Sequence, residues 1–279
     1  MKRLICAVLA LVLLVPAAMA EGDLEIEEII EIIDLDATVY GDAVWDFPVA
    51  LEDMEPDFVV LANKHYLLDS KFVCKPLVKI KSMSLNKDGS KKKGDMYVVS
   101  RGMELNETCA QALITMADAA RADGYNLYLK SAYRSYQTQN TMYYNRLKKN
   151  KGRDDGWVSK PGASDHQTGL GCDVVPRSWR DKSMNGKMGK EPECIWMAEH
   201  CQEYGFVIRY PADKEDVTEI NYEPWHLRYV GIPAATYMME SGLCLEEFNE
   251  QLQAAIEKFL DDGGDPQLVE AYIQKPTEL

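Results

Sequence analysis

From Asn106 to Ala122, apolar side chains recur at Cys109, Leu113, Met116, Ala117 and Ala120, and spacings of three and four place them on one face of a helix. Asn106 stands where a cap is needed and Gly124 where a helix stops. The run Asn126 to Lys130 then predicts a short strand, and Ser135 is placed to cap a second helix through Lys149. Met96 to Val99 and Cys172 to Val175 are apolar enough for strands, the latter in the core. Glu191 to Tyr204 has the pattern of a helix closed by Gly205, followed by a strand from Phe206 to Tyr210. Trp225 to Val230 predicts a strand ending at Gly231, and alternation puts His226 on the opposite face from Trp225. Leu245 to Leu260 is amphipathic at helical spacing and ends at Asp261-Asp262-Gly263-Gly264, with a short final helix to Gln274. Between these elements, the Lys-rich stretch Lys87 to Lys93 and the Gly-, Asp- and Lys-rich stretch Lys151 to Ala163 read as surface loops.

The chain ends change the picture. Met1-Lys2-Arg3, the apolar run Leu4 to Val15 and the Ala18-Met19-Ala20 ending describe a secretory signal peptide over residues 1–20, cut after Ala20. Its apolar run is well short of the roughly 20 residues of a spanning helix, so no membrane span is expected after cleavage. Residues 21–56, with Glu25-Ile26-Glu27-Glu28-Ile29-Ile30-Glu31 as their most patterned part, read as an acidic solvated linker. A domain is expected over 57–243 and a helical tail over 244–279. A total of 279 residues with 46% hydrophobic content suffices for a substantial core, and a formal charge of −14 argues against nucleic acid as a partner. Cys74, Cys109, Cys172, Cys194, Cys201 and Cys244 follow the signal peptide, and an even number in an exported chain permits disulfides. Which ones pair stays open, except that Cys194 and Cys201, about 10 Å apart along a helix, are out of reach of each other.

Candidate chemistry concentrates in two stretches. Ser164-Asp165-His166-Gln167-Thr168-Gly169-Leu170-Gly171-Cys172-Asp173 supplies an imidazole and a carboxylate, and Glu223-Pro224-Trp225-His226 supplies another of each. Catalytic zinc takes three protein ligands and leaves its fourth position to water, whose proton a nearby carboxylate can take. His166, Asp173 and His226 fit the ligand roles and Glu223 the base, for one zinc per chain. A third stretch, Ser131-Ala132-Tyr133-Arg134-Ser135-Tyr136-Gln137-Thr138-Gln139, puts a guanidinium where a strand meets a helix. His65 and His200 belong to neither pattern and read as structural or exposed.

These three blocks, in this order, resemble the D-alanyl-D-alanine carboxypeptidases of the VanY type, relatives of the VanX dipeptidases and more distantly of Hedgehog-like zinc folds. The resemblance runs from about Phe58 to about Gly242. One departure is Gly171, where that family usually has Ala, a change of one small residue for another. The resemblance implies an α+β domain in which a small, mainly antiparallel sheet cradles one zinc with helices packed on its other side. It implies hydrolysis of the terminal D-Ala-D-Ala amide of peptidoglycan stem peptides in the cell envelope. Arg134 would meet the substrate's terminal carboxylate, for which a planar guanidinium fork is suited. Ser131, Tyr133, Gln139 and Ser164 are further candidates for substrate contact or scaffold bonds. L,D-carboxypeptidase, D,D-dipeptidase and wall-endopeptidase activity on the same fold, and a non-catalytic wall-binding module, remain the alternatives.

Overall fold

The computed structural model describes Thr38–Tyr40 and residues 43–277, so the signal peptide expected over residues 1–20 lies outside the described residues. In chain order the strands and helices are β1 (Thr38–Tyr40), β2 (Ala43–Trp45), α1 (Pro56–Val59), β3 (Leu77–Lys79), β4 (Ser84–Leu85), β5 (Lys91–Lys93), β6 (Tyr97–Val98) and β7 (Glu104–Asn106). There follow α2 (Glu107–Ala122), β8 (Leu127–Ser131), α3 (Tyr136–Lys149), β9 (Gly171–Pro176), α4 (Pro192–His200), β10 (Phe206–Ile208) and α5 (Glu215–Thr218). Last come β11 (His226–Tyr229), α6 (Ile232–Glu240), α7 (Leu245–Asp261) and α8 (Pro266–Val269). Among these described residues no helix is long and apolar enough to cross a membrane.

A sheet in the order β10-β11-β9-β8-β6 carries the architecture; all its pairings are antiparallel except β6 with β8, which makes this a mixed helix-and-sheet fold of the expected class. The capping residues read from the sequence act as predicted. The Asn106 side chain accepts from the Thr108 and Cys109 amides at the start of α2, and Ser135 accepts from the Thr138 amide at the start of α3. One face of the sheet presents Leu127, Leu129, Cys172, Val174 and Leu227 to Cys109, Leu113 and Met116 of α2, and all of these are buried. Asp173 and His226 therefore belong to the other face, because successive side chains on a strand alternate.

Two expectations are overturned. Residues 43–56 are not a solvated linker: β2 pairs antiparallel with β1, and Trp45, Phe47, Val49, Leu51 and Met54 are buried against α6 and α7. Trp45 meets Phe259 edge to face at 5.7 Å, and Phe47 meets Phe248 in the same way at 5.4 Å. The patterned acidic run just upstream masked this stretch in the sequence, since its alternating aromatic and apolar residues are few. The 244–279 segment is helical as expected, yet it is the other half of this second core, with Tyr272 donating to the Met54 carbonyl at 2.8 Å. The second correction concerns the cysteines. Cys74, Cys109, Cys172, Cys194, Cys201 and Cys244 are all free and buried, so none of the permitted bridges is formed. Burial pushes these thiols upward, to about 12 for Cys74, Cys194 and Cys201, which keeps them protonated and unreactive.

The two cores meet at a buried ion network. Asp165, fully buried, accepts from Arg209 Nε at 2.8 Å and from Arg228 Nη1, and both guanidiniums are themselves buried. Arg228 also donates to the Phe58 and Val60 carbonyls at 2.9 and 2.7 Å, and Arg209 grips both carboxylate oxygens of Glu246 on α7 at 2.7 and 2.6 Å. Burial alone would raise the Asp165 carboxyl, but Arg209 and Arg228 outweigh it and hold it down at about 2.

Replacing Trp45 with Ala is expected to cost about 3–5 kcal/mol of stability, as for other large-to-small core changes, and a denaturant titration checks it; a linker residue would cost nothing measurable. Because the folded Asp165 carboxyl lies below its ordinary value of 3.8, its contribution to stability is present above that value and is lost as the pH falls towards about 2. Acid unfolding followed by fluorescence is therefore expected to steepen in that window, and Asp165→Asn to remove the steepening.

Candidate functional site

Strand register assembles the site. His226 on β11 lies directly opposite Asp173 on β9, and Ser131 at the end of β8 lies opposite Asp173 from the other side. Simple alternation would leave Ser131 on the core face with Leu129; a bulge at Lys130 shifts the register and turns it to the face of Asp173. The chain then leaves the sheet as the loop that carries Arg134, whose amide donates to the His166 carbonyl at 2.9 Å. His166 itself sits on a single turn of 3₁₀-helix, Asp165–Gln167, immediately before β9.

The ligand atoms of His166, Asp173 and His226 all lie within 4.8 Å of one another, and all three side chains are buried. Asp173 Oδ1 is 3.4 Å from His166 Nε2 and 3.1 Å from His226 Nδ1, yet it makes no hydrogen bond. His166 Nδ1 donates to the Ala132 carbonyl at 2.7 Å, which leaves Nε2 with its lone pair facing the other two donors. Burial and then Arg134 lower the His166 pKa, so the ring stays neutral. Burial would raise Asp173, but the two imidazoles hold it well below the usual carboxylate range. A buried, ionised oxygen without a hydrogen bond, facing two imidazole nitrogens, is the donor set a divalent cation such as zinc satisfies.

Glu223 lies beside this cluster, with Oε2 3.6 Å from His226 Nδ1. Its pKa is pushed well above the usual value by burial and then by Asp173, with Arg134 opposing. The Glu223 amide donates to the Tyr210 carbonyl and its own carbonyl accepts from the His226 amide, so the Glu223-Pro224-Trp225-His226 turn is pinned at both ends. Arg134 is held by two neighbours: Nη1 donates to Gln139 Oε1 at 2.6 Å and Nη2 to Ser131 Oγ at 3.2 Å, while Gln139 Nε2 donates to the Ser159 carbonyl at 2.6 Å. These groups share one cleft of about 340 Å³. Its wall includes Met142, Trp157, Met184 and Ile220, and Trp157 lies parallel to Trp225 at 6.3 Å.

The residues singled out in the sequence thus separate. His166, Asp173, His226, Glu223, Arg134, Gln139 and Ser164 line the cleft. Ser131 and Gln139 hold Arg134, whereas Tyr133 is bound through its amide, which donates to the Glu104 carbonyl, and is not among the lining residues. His65 is exposed beside Glu219 and His200 pairs with Glu203, both away from the cleft. Missed were Asp165, Tyr210, Trp157, Arg209 and Arg228. Asp165 stood inside the motif, but nothing in a single sequence pairs it with two arginines far along the chain.

Gly171 is not a free exchange for alanine in this chain. A Cβ there would lie 2.8 Å from Asp165 Cβ and 2.9 Å from its carbonyl carbon, so only hydrogen lets β9 pass this close to the backbone and Cβ of Asp165.

A family profile described as VanY: D-alanyl-D-alanine carboxypeptidase matches residues 102–232. Putative carboxypeptidase YodJ of Bacillus subtilis (strain 168) is 41% identical over 150 residues, 53% of this chain and 55% of the relative. A D-alanyl-D-alanine carboxypeptidase of Enterococcus faecalis (strain ATCC 700802 / V583) is 34% identical over 165 residues, 55% of this chain and 59% of the relative. The chain therefore spans little more than half the length of these two relatives. Among solved structures, the LdcB LD-carboxypeptidase superposes with a TM-score of 0.59 at 37% identity, covering 70% of this chain and 87% of that one. A mutant of the vancomycin-resistance D,D-pentapeptidase VanY in complex with Zn(II) superposes with a TM-score of 0.51 at 28% identity, covering 69% and 98%.

Gly171→Ala is expected to destabilise the fold by about 1–3 kcal/mol, the usual range for overpacking. Denaturant unfolding of the purified variant checks it, and wild-type stability would mean that Asp165 yields without cost.

Proposed function

This chain belongs to the VanY family of D-alanyl-D-alanine carboxypeptidases, and on that premise we propose that it is a zinc-dependent carboxypeptidase removing the terminal D-alanine of peptidoglycan stem peptides. The observation that carries the proposal is the convergence of three buried metal-type donors, a buried glutamate and a tethered arginine on one cleft. His166 through Nε2, Asp173 through Oδ1 and His226 through Nδ1 would hold the ion. Zinc in such a site supplies a Lewis acid for the scissile carbonyl and lowers the pKa of its bound water.

The chain's own groups perform the rest. Arg134, oriented by Ser131 and Gln139, pairs with the free carboxylate that marks the end of a peptide, which explains why a carboxypeptidase needs it. Glu223 takes the proton of the attacking water and passes it to the departing amine of D-alanine. Its burial beside Asp173, which raises its proton affinity, suits a group that must accept and then return a proton. Met142, Trp157, Met184 and Ile220 give the rest of the stem peptide an apolar wall. The signal peptide expected from the sequence over residues 1–20 would put this activity outside the cytoplasm, on envelope substrates.

A second reading, an L,D-carboxypeptidase that trims tetrapeptides, is favoured by the likeness to LdcB. A purely wall-binding module is disfavoured by Glu223, for which binding alone has no use.

Mass spectrometry of residues 21–279 with zinc and muropeptides decides between these. Loss of one alanine from pentapeptide is expected, loss only from tetrapeptide would replace it with the L,D reading, and inertness towards both would sink the enzyme. Glu223→Gln is expected to keep zinc and lose about 10²- to 10⁴-fold in kcat, the usual worth of a general base. Alanine at His166, Asp173 or His226 should abolish zinc uptake, read by metal analysis after gel filtration.

A further inference from the structure

We infer that Glu246 on α7, outside the family match at residues 102–232, is a positioning residue for the metal site, holding the His226 ring in its ligating orientation through Arg209 and Asp165. The inference rests on the zinc-site reading above, and it gives the C-terminal helix a part in the chemistry.

Both nitrogens of His226 face carboxylates. Nδ1 is 3.1 Å from Asp173 Oδ1, and Nε2 is 3.9 Å from Asp165 Oδ2 with no hydrogen-bond partner. A ligating Nδ1 must carry a lone pair, so the ring proton belongs on Nε2. Asp165 Oδ2, at 3.9 Å, is the carboxylate oxygen on that side; it lies outside hydrogen-bond reach, so the ring or the carboxylate must move for the bond to form. Carboxylate–histidine pairs of this kind fix the tautomer and the aim of a metal-binding ring.

Asp165 is not free to serve His226 alone, because Arg209 Nε and Tyr210 Oη draw on Oδ2 and Arg228 Nη1 draws on Oδ1. How strongly Arg209 does so depends on its other nitrogens, and these are occupied by Glu246 as a two-pronged pair at 2.7 and 2.6 Å. The four groups, two guanidiniums and two carboxylates, are neutral together. Without the Glu246 charge, a buried positive charge remains uncompensated beside a cation site, and Arg209 keeps only the Ala62 carbonyl, 3.4 Å from Nη2, as a partner besides Asp165. Both changes weaken the hold on His226 and oppose a divalent ion.

The neighbouring Glu247 supplies the control. It sits in the same first turn of α7 and pairs with Lys214 at 2.9 Å and with the Cys244 amide at 2.9 Å, without touching Arg209. Zinc affinity of the full chain, measured by competition with a chromophoric chelator, is expected to fall about three- to tenfold in Glu246→Gln, below the 10- to 100-fold typical of a direct partner of the ligand. Glu247→Gln, which loses a partly exposed pair, should lower the melting temperature less and leave zinc affinity unchanged. Glu246→Asp, which keeps the charge one methylene short, should give an intermediate loss and stands in if the Gln variant does not fold. Long-range ¹H–¹⁵N correlation spectra of metal-free protein read the ring directly: His226 is expected as the Nε2–H tautomer in wild type and as a mixture in the Glu246 variants. Wild-type affinity with an unmixed tautomer overturns the inference, as does an affinity loss that Glu247→Gln reproduces. If the wild type takes up no zinc, the site reading fails, and the tautomer comparison still decides for or against Glu246.

Discussion

A single carboxylate, Asp165, sits where the entry segment, the sheet and the C-terminal helix meet. It is fully buried, and it is ionised only because two buried guanidiniums reach it from β11 and from the residue after β10. A lone charge in such a place would cost several kcal/mol, so neither the acid nor either arginine could stand without the others. Each arginine then spends its remaining donors on a different part of the chain, Arg228 on the Phe58 and Val60 carbonyls and Arg209 on Glu246. The entry segment, the sheet and the C-terminal helix are thereby locked to the residue that precedes the first metal-type histidine. Gly171 follows from the same constraint, because the β9 backbone must pass within reach of Asp165 without a side chain in between.

Around that anchor the sheet does the fine placement. Cross-strand register alone sets His226 against Asp173, and one bulge brings Ser131 to the same face and releases the Arg134 loop beside them. The opposite face of the same strands is packed against α2 by Leu129, Val174 and Leu227. A slip of one residue would send the donors into the core and the core residues into the cleft. Rigid packing on one face is therefore what gives precision to the chemistry on the other: strand geometry sets Asp173 against His226, and the 3₁₀ turn that leads into β9 brings His166 within 4.8 Å of both.

The second core explains why the chain carries more than the 102–232 stretch that characterises the family. Trp45, Phe47 and Leu51 from one end of the described chain bury themselves against Phe248, Leu252 and Phe259 from the other. Closing the two ends on each other covers the side of β10 and β11 that lies away from α2, through Val207 and Val230. It also carries Glu246 to Arg209, so the packing of the ends reaches the ion network and, through it, His226.

Much of this was readable in the residues themselves. The helices of 107–122 and 136–149 and their caps obey local rules, since an Asn or Ser oxygen meets amides two or three residues away. The three blocks around Arg134, His166 and His226 declared the donor set because residue type and short spacing carry that information. What the sequence could not contain was partnership at long range. Asp165 beside Arg209 and Arg228, and Arg209 beside Glu246, are pairings between residues tens of positions apart, decided only when the sheet sets its register. The burial of residues 43–54 was hidden for the same reason, since short apolar stretches show whether they are linker or core only once α7 offers them a surface. Local chemistry was determined by the sequence alone, and the company each charge keeps was decided by the tertiary fold, because burial makes a charge depend on partners that chain proximity does not supply.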